Sequence, residues 1–558
     1  MKPLDDYPRP QLKRESYLSL NGEWEYAIRK NSDFPTNFDG KVLVPFSPET
    51  EKSGINKIVM PDNFLFYKLE FDIPLEYLND KVILHFGAVD QIADVYINDN
   101  FLGKHIGGFL PFEFDIKPYL KEHNILLIRV QDFTDTSHYS RGKQRLKRGG
   151  IWYTPQSGIY MPVWLEGVSN DYIKSIKITP DIDKSTVEFI VYSEADTAII
   201  KIGEKEWITD CNRPINIKIY DKVLWTPENP YLYDVEIRTK NDKISSYFAM
   251  RKFSVIKDKD GIKRLALNNK PYFMKGVLDQ GYYKDGFLTP NSDEDYIKDI
   301  TLMKELGFNT LRKHIKIESL RWYYHCDRLG MIVWQDFVSG GEKYKVSTIS
   351  FPLITNIHIK DNKYKKFGRS SSEGRELAKQ EYRDTISYLY NCPCIALWTI
   401  FNEGWGQFDS VPIYNELRKM DPTRLFDHAS GWHDQGISQT KSLHVYFKRV
   451  KMPKQKEVKN RAVILSECGG YTLPIKGHTF SNKKFGYKKI KNSDDLVSKY
   501  KTFIEKDILS NIPRGLSAFI YTQLSDVEDE LNGFITYDRQ EIKVNKKSVF
   551  DINGLVKY

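Results

Sequence analysis

The sequence predicts a multidomain chain: an N-terminal jelly-roll β-sandwich, an immunoglobulin-like β-sandwich and a C-terminal (β/α)8 TIM barrel. Three observations predict it. Short segments of alternating apolar and polar residues, separated by turn residues, fill the first half of the chain. After Leu265 the pattern changes to apolar strands alternating with helical stretches. The length of 558 residues also exceeds what one hydrophobic core usually supports.

The first unit, residues 1–168, contains LFYKLEFDI, KVILHFG and ADVYINDNFLGKHIGG, where Asn98-Asp99-Asn100 reads as a tight turn between two strands. The second, 169–264, continues with IKSIKITP, STVEFIVY, TAIIKIG and LYDVEIRT, a strand count and length suited to an immunoglobulin-like sandwich without the antibody cysteine pair. No long flexible linker separates the two, so they are expected to pack together.

In the third unit, 265–558, Ser292 reads as a helix cap, Tyr296, Ile300, Met303 and Leu306 share one face, and Gly307 ends the helix before the strand FNTLR. A second helix, SLRWYYHCDRLG, leads into MIVWQDF. IALWTIFNE, TRLFDHAS, SLHVYF, AVILSE and LSAFIYTQ follow at intervals that allow a helix or long loop, and KPYFMKGV precedes them all. Eight strands with helices between them predict the barrel.

Composition narrows the function. The 83 Lys and Arg against 74 Asp and Glu give a charge of +9 spread along the chain, whereas a nucleic-acid binder concentrates its charge on one basic module. The densest basic stretches, Arg141 to Arg148 and Lys448 to Lys459, read as solvated loops. The start, MKPLDDYPRP, has no apolar core for a signal peptide, and no run approaches the ~20 apolar residues of a membrane span, so a cytoplasmic protein without a membrane partner is expected. Five cysteines without a C-x-x-C pair suit reduced thiols, and Cys392-Pro-Cys394 has no further ligand at metal spacing beside it.

Two glutamates carry the chemistry. Glu403 in WTIFNEGWGQ and Glu467 in ILSECGGY each end an apolar stretch, where an ionised carboxylate is costly unless the strand end opens into a polar cleft. Counting strands puts them at the ends of the fourth and seventh, on the face where barrel active sites form. A pair of positioned carboxylates is what glycoside hydrolysis needs: one protonates the leaving oxygen, and the other attacks the anomeric carbon or activates water. Asp279 and Asp336 end the first and third strands, which suits either recognition of sugar hydroxyls or the capping of a following helix.

Motif order and spacing resemble glycoside hydrolase family 2, the β-galactosidases, β-glucuronidases and β-mannosidases. The resemblance rests on LNGEWEY, SGIYMPVWLE, LWTPENPYLYDVEI, WTIFNEG and ILSECGG, in that order along nearly the whole chain. It implies that Glu403 is the general acid/base and Glu467 the nucleophile of a retaining mechanism, and that Asn402 hydrogen-bonds the substrate 2-hydroxyl. It further implies that Tyr446 hydrogen-bonds the nucleophile, that Arg312 and His314 lie near the sugar subsite, and that Tyr521 stands where a Trp usually floors it. LRKHIKIES lacks the family's Ser-His-Tyr-Pro run, GVLDQGYY replaces Asn-x-His, and NGFITYDRQ lacks the Lys of the β-glucuronidase carboxylate pocket.

The expectation is therefore a retaining exo-β-glycosidase acting on an oligosaccharide or glycoside, with β-galactosidase first. The alternatives are a β-glucuronidase- or β-galacturonidase-like activity on acidic sugars, or a non-catalytic carbohydrate-binding barrel. No cofactor is required; the resemblance allows Mg²⁺ or Na⁺, but no metal-ligand cluster stands out. A homo-oligomer is left open.

Overall fold

Two facing sheets form the N-terminal unit, one ordered 40–44, 22–29, 64–71, 124–131, 92–97, 100–106 and the other 18–19, 163–168, 81–86, 112–115. Alternation along each strand sends Trp24, Leu65, Tyr67, Leu84, Val95, Ile128 and Leu165 into the space between them. Asn98 and Asp99 take left-handed φ values of 48° and 70°, which lets the expected turn join Ile92–Ile97 to Asn100–Ile106. The computed structural model describes residues 2–350, 352 and 358–558.

A second sandwich follows, with a three-stranded sheet (Ser175–Asp181, Thr186–Tyr192, Pro214–Lys218) against a four-stranded one (Thr197–Ile202, Lys205–Asp210, Tyr233–Arg238, Lys243–Phe248). Its core is Val187, Phe189, Ile200, Ile237 and Phe248. Cys211 is its one cysteine and is free, like the four in the barrel.

The barrel strands are β1 Met274–Asp279, β2 Thr310–Lys313, β3 Ile332–Asp336, β4 Ile395–Thr399, β5 Leu425–Asp427, β6 Thr440–Val445, β7 Ala462–Gly469 and β8 Leu516–Thr522. All pair in parallel in the order β5-β4-β3-β2-β1-β8-β7-β6. At the β5–β6 seam, the Thr440 hydroxyl donates to the Phe426 carbonyl at 3.1 Å and the Ser442 hydroxyl to Asp427 at 3.1 Å. Helices α1 Asp293–Glu305, α2 Leu320–Leu329, α3 Ser372–Leu389, α4 Ser410–Met420 and α5 Ser493–Phe503 lie outside the strands. Ser292 caps α1 by accepting from the Glu294 amide, as its position in the sequence suggests.

The second sandwich is tied to the barrel through polar groups. Tyr247 donates to Asp327 of α2 at 2.7 Å, the Trp225 indole donates to the Asp327 carbonyl at 2.8 Å, and Asn391 bonds Ile176 and Ile178. A hairpin, Phe253–Lys257 with Lys263–Leu267, sends Phe253, Leu265 and Leu267 into the barrel's own core. Among the described residues, no helix is long and apolar enough to cross a membrane.

Candidate active site

Glu467 owes its direction to an irregularity in β7. Leu443 pairs with Leu465 but His444 with Glu467, so Ser466 is an extra residue against β6. Glu403 stands four residues beyond the end of β4 with a left-handed φ of 49°, uncommon for a non-glycine residue and typical of strained functional positions. The bend is held by backbone bonds from the Ser430 amide to the Phe401 carbonyl (2.7 Å) and from the Glu403 amide to the Ser430 carbonyl (3.1 Å).

The two buried carboxylates and His444 each present one atom within 4.8 Å of the others. His444 Nδ1 lies 3.3 Å from Glu403, and its Nε2 lies 3.0 Å from the Ser430 hydroxyl. Arg312, fully buried, donates to Glu467 at 3.1 Å, to the Ser466 carbonyl at 2.9 Å and to the Asn402 side-chain oxygen at 2.8 Å. The Tyr446 hydroxyl donates to the other oxygen of Glu467. Tyr487 stacks on Tyr446 with ring centres 4.0 Å apart.

Their environments drive the two carboxyl groups apart. Burial raises the pKa of Glu403, and the charge of Glu467 raises it further against the opposing pull of His444. Burial also works to raise Glu467, but His444, Arg312 and the Tyr446 hydrogen bond outweigh it and hold that carboxyl at about 2.

Asn402 is orientated by its partner. A guanidinium only donates, so the amide oxygen must face Arg312, and the buried Nδ2 is left without a partner on the cleft side. That leaves the two N–H donors of the amide for a bound molecule.

The remaining sequence candidates divide. His314 Nδ1 is 2.7 Å from Asp336, and its ring centre is 6.2 Å from that of Trp405. Asp336 spends both oxygens on Arg312 and His314, so it positions those two side chains rather than reading a hydroxyl itself. Asp279 faces away from the carboxylate pair. Arg312 points into the barrel, so its neighbour Lys313 points outward over the Trp322 ring of α2, and Asp279 pairs with Lys313 at 2.8 Å. Tyr521 is also turned outward, against Tyr500 and Phe503 of α5 and over Gly469, and does not floor the site.

Several site residues carried no signal strong enough to single them out in the sequence. His444, Trp405 and Tyr487 line the cleft from the barrel, although Trp405 stands only two residues beyond Glu403. Lys143 and Trp152 arrive from the N-terminal sandwich: Lys143 Nζ is 6.0 Å from the Trp405 ring centre, and Trp152 packs against Trp405 with ring centres 4.9 Å apart and planes tilted by 44°. Glu403, His444 and Glu467 form a potential metal-ligand cluster that linear spacing hides. It fits a resident Mg²⁺ or Na⁺ poorly, since hard cations favour oxygen on all sides and Arg312 already neutralises Glu467.

Comparison with known proteins follows the same division of the chain. The model described as "Glycosyl hydrolases family 2, TIM barrel domain" matches residues 256–540, the family 2 sugar binding domain matches 17–165, and a third family 2 model matches 168–251. A beta-galactosidase of Thermoanaerobacter pseudethanolicus is 25% identical over 443 residues, 73% of this chain and 54% of that protein. One from Lactococcus lactis is 24% identical over 456 residues, 77% of this chain and 41% of that one. The chain thus spans about half the length of the curated relatives it matches, or somewhat less. Among solved structures, a beta-D-glucuronidase for Dictyoglomus thermophilum superposes with a TM-score of 0.75 at 19% identity over 99% of both chains. A GH2 beta-galacturonidase from Eisenbergiella tayi bound to galacturonate superposes at 0.74 and 17% identity over 99% of this chain and 100% of that one.

Proposed function

The chain belongs to glycoside hydrolase family 2, and from that premise we propose that it is a retaining exo-β-glycosidase, β-galactosidase-like in its sugar, with Glu403 as acid/base and Glu467 as nucleophile. The observation that carries the mechanism is the carboxylate pair, with one oxygen of each within 4.8 Å of the other and their pKa values shifted in opposite directions. Retaining enzymes hold their carboxyl groups ~5 Å apart, whereas inverting enzymes leave ~6.5 Å or more for a water.

Glu403, kept protonated by burial, gives its proton to the departing oxygen while ionised Glu467 attacks the anomeric carbon from the opposite side. The C–O bond to the aglycone breaks as the bond to Glu467 forms. Glu403, now a carboxylate, takes a proton from water as that water displaces Glu467. Arg312 and Tyr446 hold Glu467 ionised and aimed, and the free amide donor of Asn402 meets the 2-hydroxyl. A carbohydrate-binding barrel without catalysis would not need two carboxyl groups whose pKa values are driven in opposite directions.

The beta-galactosidase relatives support a neutral terminal sugar. One observation favours an acidic sugar instead: the Arg145 guanidinium lies 3.6 Å over the Trp152 ring and pairs with no carboxylate among the described residues.

The test of the mechanism is NMR of the first product. The released sugar is expected in its β form before it equilibrates, and Glu467→Gln is expected to lose more than a hundredfold of kcat on every substrate. The α anomer appearing first would overturn the retaining assignment.

A further inference from the structure

A loop of the N-terminal sandwich lays a lysine against the barrel cleft. The Arg141 and Gly142 amides both bond the Ser339 carbonyl at 2.9 Å, and Lys143 and Tyr153 are tied by a 3.0 Å backbone bond. Three consecutive acids following β8 receive this loop: Glu528 accepts from the Thr154 amide at 2.8 Å, Asp529 pairs with Arg148 at 3.0 Å, and Glu530 accepts from the Tyr153 hydroxyl at 2.6 Å. Glu530 is 1% exposed and also accepts from Asn532 at 3.1 Å, the end of a chain running through Gln523 to Gln280.

Lys143 is the exception in this set. Its side chain is 6% exposed, yet its Nζ makes no hydrogen bond among the described residues. The nearest carboxylate oxygen, on Glu530, is 3.8 Å away, too far for one. The stem is buried, but Nζ keeps some exposure and lies 5.2 Å from the Tyr153 ring centre and 6.0 Å from that of Trp405, so its donors remain open to a bound molecule. The pair also faces the reaction centre. Lys143 Nζ lies 6.0 Å from the ring centre of Trp405, two residues beyond Glu403, and the backbone on either side of Glu530 bonds Phe485, two residues before the Tyr487 ring that stacks on Tyr446.

We propose that Lys143 and Glu530 together read one hydroxyl of the terminal sugar, and that the substrate is therefore a neutral glycopyranoside rather than a uronide. A hydroxyl both accepts and donates, so it can accept from Nζ and donate to the carboxylate across the gap the two leave open. A sugar carboxylate only accepts, and it would bring a second negative charge against buried Glu530. The two residues belong to different units of the chain, so this specificity exists only when the sandwich loop is docked. The proposal rests on the glycosidase reading above and names its substrate class.

The test compares kcat/KM for the wild type, Lys143→Met and Glu530→Gln on p-nitrophenyl β-galactoside, β-glucoside, β-mannoside, β-glucuronide and β-galacturonide, and on monodeoxy forms of the best substrate. Melting temperatures of all three proteins are measured alongside. The wild type is expected to prefer a neutral sugar. Lys143→Met should lower kcat/KM on it by roughly 10- to 100-fold, and that loss should shrink on the one deoxy substrate lacking the hydroxyl read by the pair. Glu530→Gln should raise the ratio of uronide to neutral activity. Preference of the wild type for a uronide would overturn the proposal and leave the glycosidase reading standing, as would equal losses on every substrate, deoxy forms included. Hydrolysis of none of these glycosides would overturn both.

Discussion

On the proposed mechanism, Glu403 is protonated to release the aglycone and ionised to activate water, so its titration is expected to set the alkaline limit of activity. Burial and the charge of Glu467 raise its pKa above the ordinary value of ~4.3, and activity is expected to fall as pH rises through that raised value. Glu467, at about 2, is ionised through the working range, so the acidic limb lies far below. The stability linked to Glu467 has the sign of a depressed carboxyl: it is present above the unfolded value and lost as pH falls toward 2. Glu403→Ala should slow poor leaving groups far more than activated nitrophenols, because only the former need the proton. Its alkaline limb should vanish, and azide, which needs no general base, should restore turnover as a β-glycosyl azide. A variant equally slow on both aglycones, with the alkaline limb intact and no azide response, would withdraw the role from Glu403.

The barrel strands act on these side chains through alternation and its interruption. Alternation along β2 sends Arg312 to the carboxylates and Lys313 to α2, and the extra residue Ser466 in β7 turns Glu467 toward His444. Alternation also places Tyr521 of β8 on the helix side, where its ring covers Gly469. Gly469 has φ of 83°, and a Cβ there would clash with that ring, so the end of β7 depends on glycine. The Tyr521 hydroxyl is buried without a partner of ordinary geometry. Tyr521→Phe is therefore expected to leave kcat/KM within about twofold and stability unchanged or up to ~1 kcal/mol higher. A large loss of kcat/KM with an unchanged melting temperature would return Tyr521 to the sugar site.

Across the whole molecule, the sandwiches and barrel share buried polar groups that commit them to one arrangement. Asp327 accepts from Tyr247 of the second sandwich at 2.7 Å and from the Cys394 amide ahead of β4 at 2.7 Å, with no exposure. Asp327→Ala strands both donors and is expected to cost about 1–3 kcal/mol, read as a lower denaturation midpoint with near-normal kcat at low temperature. A midpoint unchanged from the wild type would show that the junction does not depend on this residue. The proposed division of the chain at 168 and 264 sets its second cut inside the Phe253–Leu267 hairpin, whose apolar side chains pack into the barrel core. A composition shift marks where helices begin; packing assigns the hairpin that precedes them.

The order of the three units, all eight barrel strands and the positions of Glu403 and Glu467 were legible in the sequence, because period, turn residues and motif order are local properties. Asn402, Tyr446, Arg312 and His314 were found because they neighbour those motifs or strand ends, and the structure brings all four around the cleft. Asp279 and Tyr521 show the limit of that method, since a strand end gives a position but not the side on which a side chain emerges. Only the tertiary structure decided the rest. It turned Glu467 with a bulge, freed the amide NH2 of Asn402 through Arg312, and set Lys143 opposite Glu530 across 387 positions of sequence, 530 less 143. Such pairings depend on distances through space, which periodicity along one strand does not encode.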